Sequence, residues 1–256
     1  MESLEAELER ARSLSVADLA DAIESIGFEC TRCGACCKGY VECGGDADAD
    51  DAGGDPHTAT VFPDEVRRLR AAATAADDPA LADAYDWRDV ARPMPYGLGD
   101  DAGAGNGADA DGDRAGSDAD GGGETFEWAL ATDDCGDCTF YDESGGEGRC
   151  AVHADRPLVC RTYPFSVALG GTNQPLGGVV AEAGPVRAHE CEGLGREIGR
   201  GDAEDLARAL KERAIRELEE AIAVRDAYAP ADPGPGETVV HDSEGPKRPD
   251  GRPYRG

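Results

Sequence analysis

The sequence predicts a small, irregular fold of the α+β or mainly α class. Three features predict it. Apolar residues recur at helical spacing near both ends of the chain, only a few short stretches between them suit strands, and the cysteines cluster among Gly- and Asp-rich connections. Aromatic residues make up 5% of the 256, against 35 glycines and 15 prolines, so the apolar core is thin. That length allows one domain or two small ones.

Residues 1–27 are the first segment. Leu4, Leu8, Ala11 and Leu14, then Leu19, Ile23 and Ile26, predict helix over 2–26, and Ser15 followed by Asp18 can restart it after a short break. A cysteine-rich domain spans 28–195. Within it, residues 44–56 read as loop. Val61-Phe62 is an extended entry to a helix that begins at Pro63, where proline suits the first turn and Asp64 and Glu65 suit the helix dipole, and continues to about Ala76. Residues 97–124 are almost wholly Gly, Asp and Ala. Nothing there offsets the entropy of ordering, which predicts a disordered acidic insertion. Phe126 to Leu130, with Trp128, predicts a short strand. Tyr163 to Leu169 and Gly178 to Ala181 predict two more, joined as a hairpin around Gly170-Gly171-Thr172-Asn173. Residues 202–228 give the clearest helix, its stripe formed by Leu206, Leu210, Ala214, Ile215, Leu218, Ile222 and Val224. The helices at 2–26 and 202–228 are expected to pack across the middle of the chain. Residues 230–256 are rich in Pro, Gly and charge and are expected to be a disordered tail.

The formal net charge is −29, and among the bases only Lys38, Lys211 and Lys247 are lysines. A uniformly acidic, lysine-poor surface is what a protein needs to stay hydrated in concentrated salt, and we read it as halophilic. The charge argues against nucleic acid or an anionic membrane as partner, because phosphate binding needs a basic footprint. The N-terminal residues lack the basic and apolar regions of a signal peptide, and no stretch approaches the ~20 apolar residues of a membrane span. A cytoplasmic location is therefore expected, and in that reducing compartment ten cysteines point to metal or redox chemistry before structural disulfides.

Cys30, Cys33, Cys36 and Cys37 fall within eight residues, more than packing requires. Two C-x-x-C steps share Cys33, and such turns gather sulfurs around one ion while backbone N–H groups face the thiolates. Gly34 can supply a positive φ or a close backbone approach. Metal binding is the reading for this group. Cys43 trails it, and a second segment carries Cys135, Cys138, Cys150 and Cys160, with Cys191 further on.

These residues resemble a known family, the YkgJ-type cysteine cluster proteins, a zinc- or iron-chelating domain also named for flagellin N-methylase. Three signatures carry the resemblance: Phe28-x-Cys30-x-x-Cys33-Gly34-x-Cys36-Cys37, then Cys138-Thr139-Phe140-Tyr141, then Cys150-x-x-His153-x-x-Arg156-Pro157-x-x-Cys160-Arg161-x-Tyr163-Pro164-Phe165. Cys191 fits the family's late cysteine, and the match covers roughly 28–193. The resemblance implies eight metal ligands: Cys30, Cys33, Cys36, Cys37, Cys138, Cys150, Cys160 and Cys191. Cys43 and Cys135 are extras to that pattern, although Cys135 with Cys138 makes a C-x-x-C step of its own and is an alternative ligand. Eight ligands suit two four-sulfur sites, or one cluster with spare thiols.

Zinc or a 4Fe–4S cluster bound by four thiolates leaves about two negative charges for nearby donors to balance. Arg32, Lys38, Arg149, Arg156 and Arg161 lie close in sequence. His153 and His189 are read as packed residues before ligands, His57 and His241 carry no functional weight, and Tyr163-Pro164-Phe165 is read as core packing. A metal centre would compensate for the thin core. The resulting expectation is a metal-centred, metal-binding protein with a cytosolic protein partner. Two alternatives stand beside it. The resemblance to flagellin N-methylase implies a protein lysine N-methyltransferase using the metal, although Gly193-Leu194-Gly195 is too short to be a site for S-adenosylmethionine. A thiol redox protein would use Cys33 and Cys36, but needs a thioredoxin-like βαβ context that the sequence around Cys33 lacks.

Overall fold

The computed structural model describes residues 3–39, 56–75, 86–95, 122–143, 148–169 and 178–255. In chain order its helices are α1 (Leu4–Ser13), α2 (Val16–Ile26), α3 (Pro63–Ala75), α4 (Trp87–Val90), α5 (Leu158–Thr162) and α6 (Arg200–Ala227). Its strands are β1 (Thr60–Val61), β2 (Ala91–Pro93), β3 (Gly123–Thr125), β4 (Trp128–Leu130), β5 (Tyr141–Asp142), β6 (Arg149–Cys150), β7 (Phe165–Val167), β8 (Val179–Ala183), β9 (Val186–His189), β10 (Thr238–Asp242) and β11 (Gly245–Lys247). Helices and small, mostly antiparallel sheets make this an α+β fold. The chain divides into two compact units. The first comprises Met1–Cys36, Glu143–Arg149 and Arg156–Asp226, and the second Cys37–Asp142, Cys150–Asp155 and Ala227–Gly256.

In the first unit the 2–26 periodicity resolves into two helices. The Ser3 side chain accepts the Ala6 N–H (3.3 Å) to start α1, and the Ser15 side chain accepts the Asp18 N–H (3.3 Å) to start α2. Each satisfies a backbone donor that a helix's first turn leaves unpaired. The apolar faces of α1 and α2 share one core with α6, in which Leu8, Ala11, Leu19 and Ile23 meet Ala207, Leu210, Ala214 and Leu218. Much of the α6 stripe is alanine, which adds little volume, and the thin core follows from that. Arg213 is also buried on α6. Its guanidinium donates to Thr162 Oγ1 (3.0 Å) and Glu217 Oε1 (2.7 Å), which offsets the cost of burying the charge.

The sheet of this unit has the order β7-β9-β8. The expected hairpin between 163–169 and 178–181 is therefore corrected, since β9 lies between those strands and pairs antiparallel with both. The sequence signal for the true hairpin is Gly184-Pro185. Gly184 takes φ 54°, the left-handed conformation that a two-residue hairpin turn favours at its first position. The expected turn at 170–173 lies outside the described residues.

The second unit holds a β1-β4-β2 sheet and a β11-β10-β3 sheet, with α3 against α4. Pro63 begins α3 as expected, and the buried Glu65 carboxylate reaches back to accept the Phe62 N–H (3.2 Å). Trp87 and Trp128 meet edge to face with ring centroids 5.1 Å apart. The expectation of a disordered tail over 230–256 is corrected. There β10 pairs parallel with β3 and antiparallel with β11, and Val239 and Val240 are fully buried. Three consecutive β-branched residues, Thr238, Val239 and Val240, amid Pro, Gly and charge give no period, so only their tertiary partners identify the strand. The partner strand β3 includes Gly123 and Glu124, the last residues of the expected 97–124 insertion. Residues 96–121 lie outside the described residues, as do 40–55 with Cys43. Among the described residues no helix is long and apolar enough to cross a membrane.

Candidate metal centre

The first cysteine group follows α2 directly. Gly27 ends that helix with φ 77°, its N–H donating to the Ile23 carbonyl (2.8 Å). The chain then runs through Cys30 and Cys33 to a short 3-10 turn, Ala35–Cys37. Gly34 has φ 78°, the conformation expected of it, and Arg32 also lies in the left-handed region with φ 58°. Cys30, Cys33 and Cys36 are exposed, and no βαβ unit surrounds them among the described residues.

A tight backbone crossing brings Cys191 to this group. The Glu29 N–H donates to the Gly193 carbonyl (3.0 Å), the Gly195 N–H donates to the Gly27 carbonyl (3.0 Å), and Phe28 pairs with Leu194 in an antiparallel bridge. The strands approach so closely that a Cβ on Gly193 would lie 2.2 Å from the Glu29 carbonyl oxygen, and one on Gly27 would lie 2.5 Å from that of Arg196. Burial, then the neighbouring thiols of Cys33, Cys36 and Cys30, push the Cys191 thiol above its ordinary pKa of 9.0. The Gly193 N–H, 3.4 Å from Cys191 Sγ, acts in the opposite direction.

The later part of the third signature, from Arg156 onward, belongs to the same unit and packs there through its apolar residues. Phe165 packs edge to face on Phe28, with centroids 5.6 Å apart, and the Tyr163 hydroxyl donates to the Glu190 carbonyl. Pro164 and Phe165 are buried, as expected for core packing, and Cys160 sits half-buried on α5. His189 is buried with its ring bonded to Ser166 Oγ (2.8 Å), which makes it a packed residue as expected. His153 is exposed on a 3-10 turn, His153–Asp155, against the expectation of packing.

Cys37, Cys138 and Cys150 belong to the second unit. The Cys138 N–H donates to the Cys37 carbonyl (2.8 Å), a turn closes from Cys138 to the Tyr141 N–H (2.8 Å), and the Ala151 N–H reaches the Phe140 carbonyl (2.9 Å). The supports of this region carry no signal in the sequence. Gly39 donates to Asp137 Oδ1 (2.8 Å), and a Cβ on Gly39 would lie 2.7 Å from the Gly136 carbonyl oxygen. The His57 N–H donates to that same carbonyl (2.7 Å), and burial, with Arg92, pushes the His57 imidazole down to about 4, so it is neutral near pH 7. Of the expected counter-charges, Lys38 lies over the Tyr141 ring, 5.4 Å from its centroid. His241, also given no functional role, is buried and bonded to Glu124 Oε1 (2.7 Å).

None of the eight cysteines that the resemblance selects is disulfide-bonded, whereas Cys135, the alternative ligand, is. Thiolates suit zinc and iron–sulfur centres, so the donor chemistry fits either. Among the described residues no three His, Cys, Asp or Glu side chains converge at metal-ligand spacing, so binding has to draw the thiols together.

Comparison with known proteins supports metal binding. A family model, CxxCxxCC, described as a "putative zinc- or iron-chelating domain", matches residues 29–192. No curated protein and no solved structure matches the chain. The matched span begins beside Cys30 and ends beside Cys191, the two ends that the Glu29–Gly193 crossing brings together, and the chain belongs to the CxxCxxCC family of chelating domains.

Proposed function

We propose that this protein binds zinc or a 4Fe–4S cluster through the thiolates of Cys30, Cys33, Cys36 and Cys191. One observation carries the reading. Cys191, remote in sequence, is held by a backbone crossing beside three cysteines of the first group, and their thiols interact electrostatically with its own. Gathered thiolates repel one another, and a bound cation removes that repulsion, so folding and metal uptake support each other. The arrangement supplies the two C-x-x-C turns with a fourth sulfur, which is the complement of either centre. The acidic surface and the exposed first cysteine group suit a protein partner that delivers or receives the metal.

The test is anaerobic purification in high salt, followed by measurement of metal, acid-labile sulfide and visible absorption. Iron with sulfide and a reducible brown chromophore identifies the cluster, and colourless protein with stoichiometric zinc identifies the ion. Protein that holds neither, and takes up neither from solution, would sink the proposal.

A further inference from the structure

We propose that the paired rings of Phe126 and Tyr228 form a docking point for an arginine side chain of a basic partner protein. The site is made of residues other than the cysteines and holds whether or not the chain carries metal.

Four large apolar residues are exposed among the described residues, and two of them, Phe126 and Tyr228, meet. Phe126 follows β3 and Tyr228 follows α6, and both belong to the second unit. Their ring centroids lie 5.5 Å apart at 57°, with the residues 47% and 41% exposed. Of the five phenylalanines, only Phe126 is exposed. The two rings are held from below. The buried His241 imidazole stacks on one face of Phe126, with centroids 5.4 Å apart at 26°, and meets Tyr228 edge to face at 4.9 Å. Glu124 on β3 ties the group together. Its Oε1 accepts the Ala231 N–H (2.8 Å) and lies 2.7 Å from His241 Nε2, and its Oε2 accepts the Tyr228 hydroxyl (3.3 Å). Covering His241 occupies the inner face of Phe126 and leaves the outer face to water.

The face of an aromatic ring carries negative potential, which attracts a cation. The carboxylate beside the rings adds to that attraction. Burial pushes the Glu124 carboxyl up, but the Ala231 N–H and His241 outweigh it and hold the group below its ordinary 4.5, so it is ionised near pH 7. The formal net charge of −29 draws a basic partner and repels the phosphates of nucleic acid. Among basic groups the guanidinium fits these features. It is planar and weakly hydrated, so it stacks on a ring while its N–H groups reach a carboxylate, whereas an ammonium is compact and strongly hydrated. Rings already fixed in place reduce the ordering entropy that docking costs.

The experiment titrates the full chain into fluorescently labelled peptides of alternating Gly and Arg, or of alternating Gly and Lys, and reads fluorescence anisotropy at about 1 M salt. There the Debye length is about 3 Å, so general attraction to the acidic surface is screened and direct ring contact remains. The arginine peptide is expected to bind more tightly than the lysine one. Its affinity should fall about fivefold in Phe126→Leu and return in Phe126→Tyr, which restores the ring. Tyr228→Leu provides the same comparison from a different segment if circular dichroism shows that Phe126→Leu does not fold. No binding of the arginine peptide by the parent, equally tight binding of the lysine peptide, or unchanged affinity in the folded ring variant would overturn the proposal.

Discussion

Replacing Gly193 with alanine isolates the contact that brings Cys191 to the first cysteine group. The backbone at Gly193 is outside the left-handed region, so alanine meets no conformational penalty there, and its whole effect is steric. The new Cβ would lie 2.2 Å from the Glu29 carbonyl oxygen and 3.1 Å from the Phe28 ring, and the first of these atoms is backbone that cannot swing away. The crossing must open, which removes the Glu29–Gly193 and Gly195–Gly27 hydrogen bonds. At about 0.5–1.5 kcal/mol each, their loss destabilises the protein by about 1–3 kcal/mol. For a chain of this size that corresponds to a fall in Tm of about 2–12 °C. The same opening moves Cys191 away from Cys30, Cys33 and Cys36, so metal affinity should fall in parallel. The assay is thermal unfolding with and without metal, alongside a competition titration against a chromogenic chelator. Gly201→Ala is the control, since a Cβ there meets open space on α6 and should stabilise the helix slightly. If Gly193→Ala melts like the parent and binds metal with unchanged affinity, the crossing does not position Cys191 and the reasoning fails.

Other predictions concern the second unit. Lys247 Nζ lies 2.7 Å from Asp242 Oδ2, which also accepts the Trp128 indole N–H (2.8 Å), and all three residues are buried. Asp242→Ala leaves a buried ammonium without one of its carboxylate partners and should cost about 3–5 kcal/mol, read by denaturant unfolding with tryptophan fluorescence. Hydrogen bonding from Arg67, then Lys247, holds the Glu244 carboxyl down at about 2, against an ordinary 4.5. Its folded pKa is depressed, so its contribution is present above pH 4.5 and is lost as pH falls from there through about 2. Both side chains are substantially exposed and salt screens the pair, so the effect on stability is small. Arg67→Met should raise the Glu244 pKa in a carboxyl NMR titration, and an unchanged value would refute the assignment.

Much of the local structure was legible because its causes are local. Ser15 caps α2 and Pro63 opens α3 through groups within one turn of themselves, and Gly34 takes the positive φ expected from its place between cysteines. The α6 stripe showed in its period, although the buried Arg213 within it did not, because the Thr162 hydroxyl that receives it comes from far along the chain. The strand β10 was hidden for a related reason. Its sequence carries one apolar pair, and its pairing partner β3 lies at the edge of a Gly- and Asp-rich stretch.

The cysteine spacing of the first group and the family resemblance marked the candidate metal donors, since C-x-x-C steps and the Cys-Cys pair are local patterns with few purposes other than binding a metal. Tertiary structure alone decided where those candidates lie. It carried Cys191 to Cys30 through the Gly193 crossing, placed Cys36 and Cys37 in different units, and withdrew Cys135 into a disulfide. The physical reason is that a ligand's identity is written in its side chain, whereas its neighbours depend on where the backbone hydrogen bonds of distant segments close.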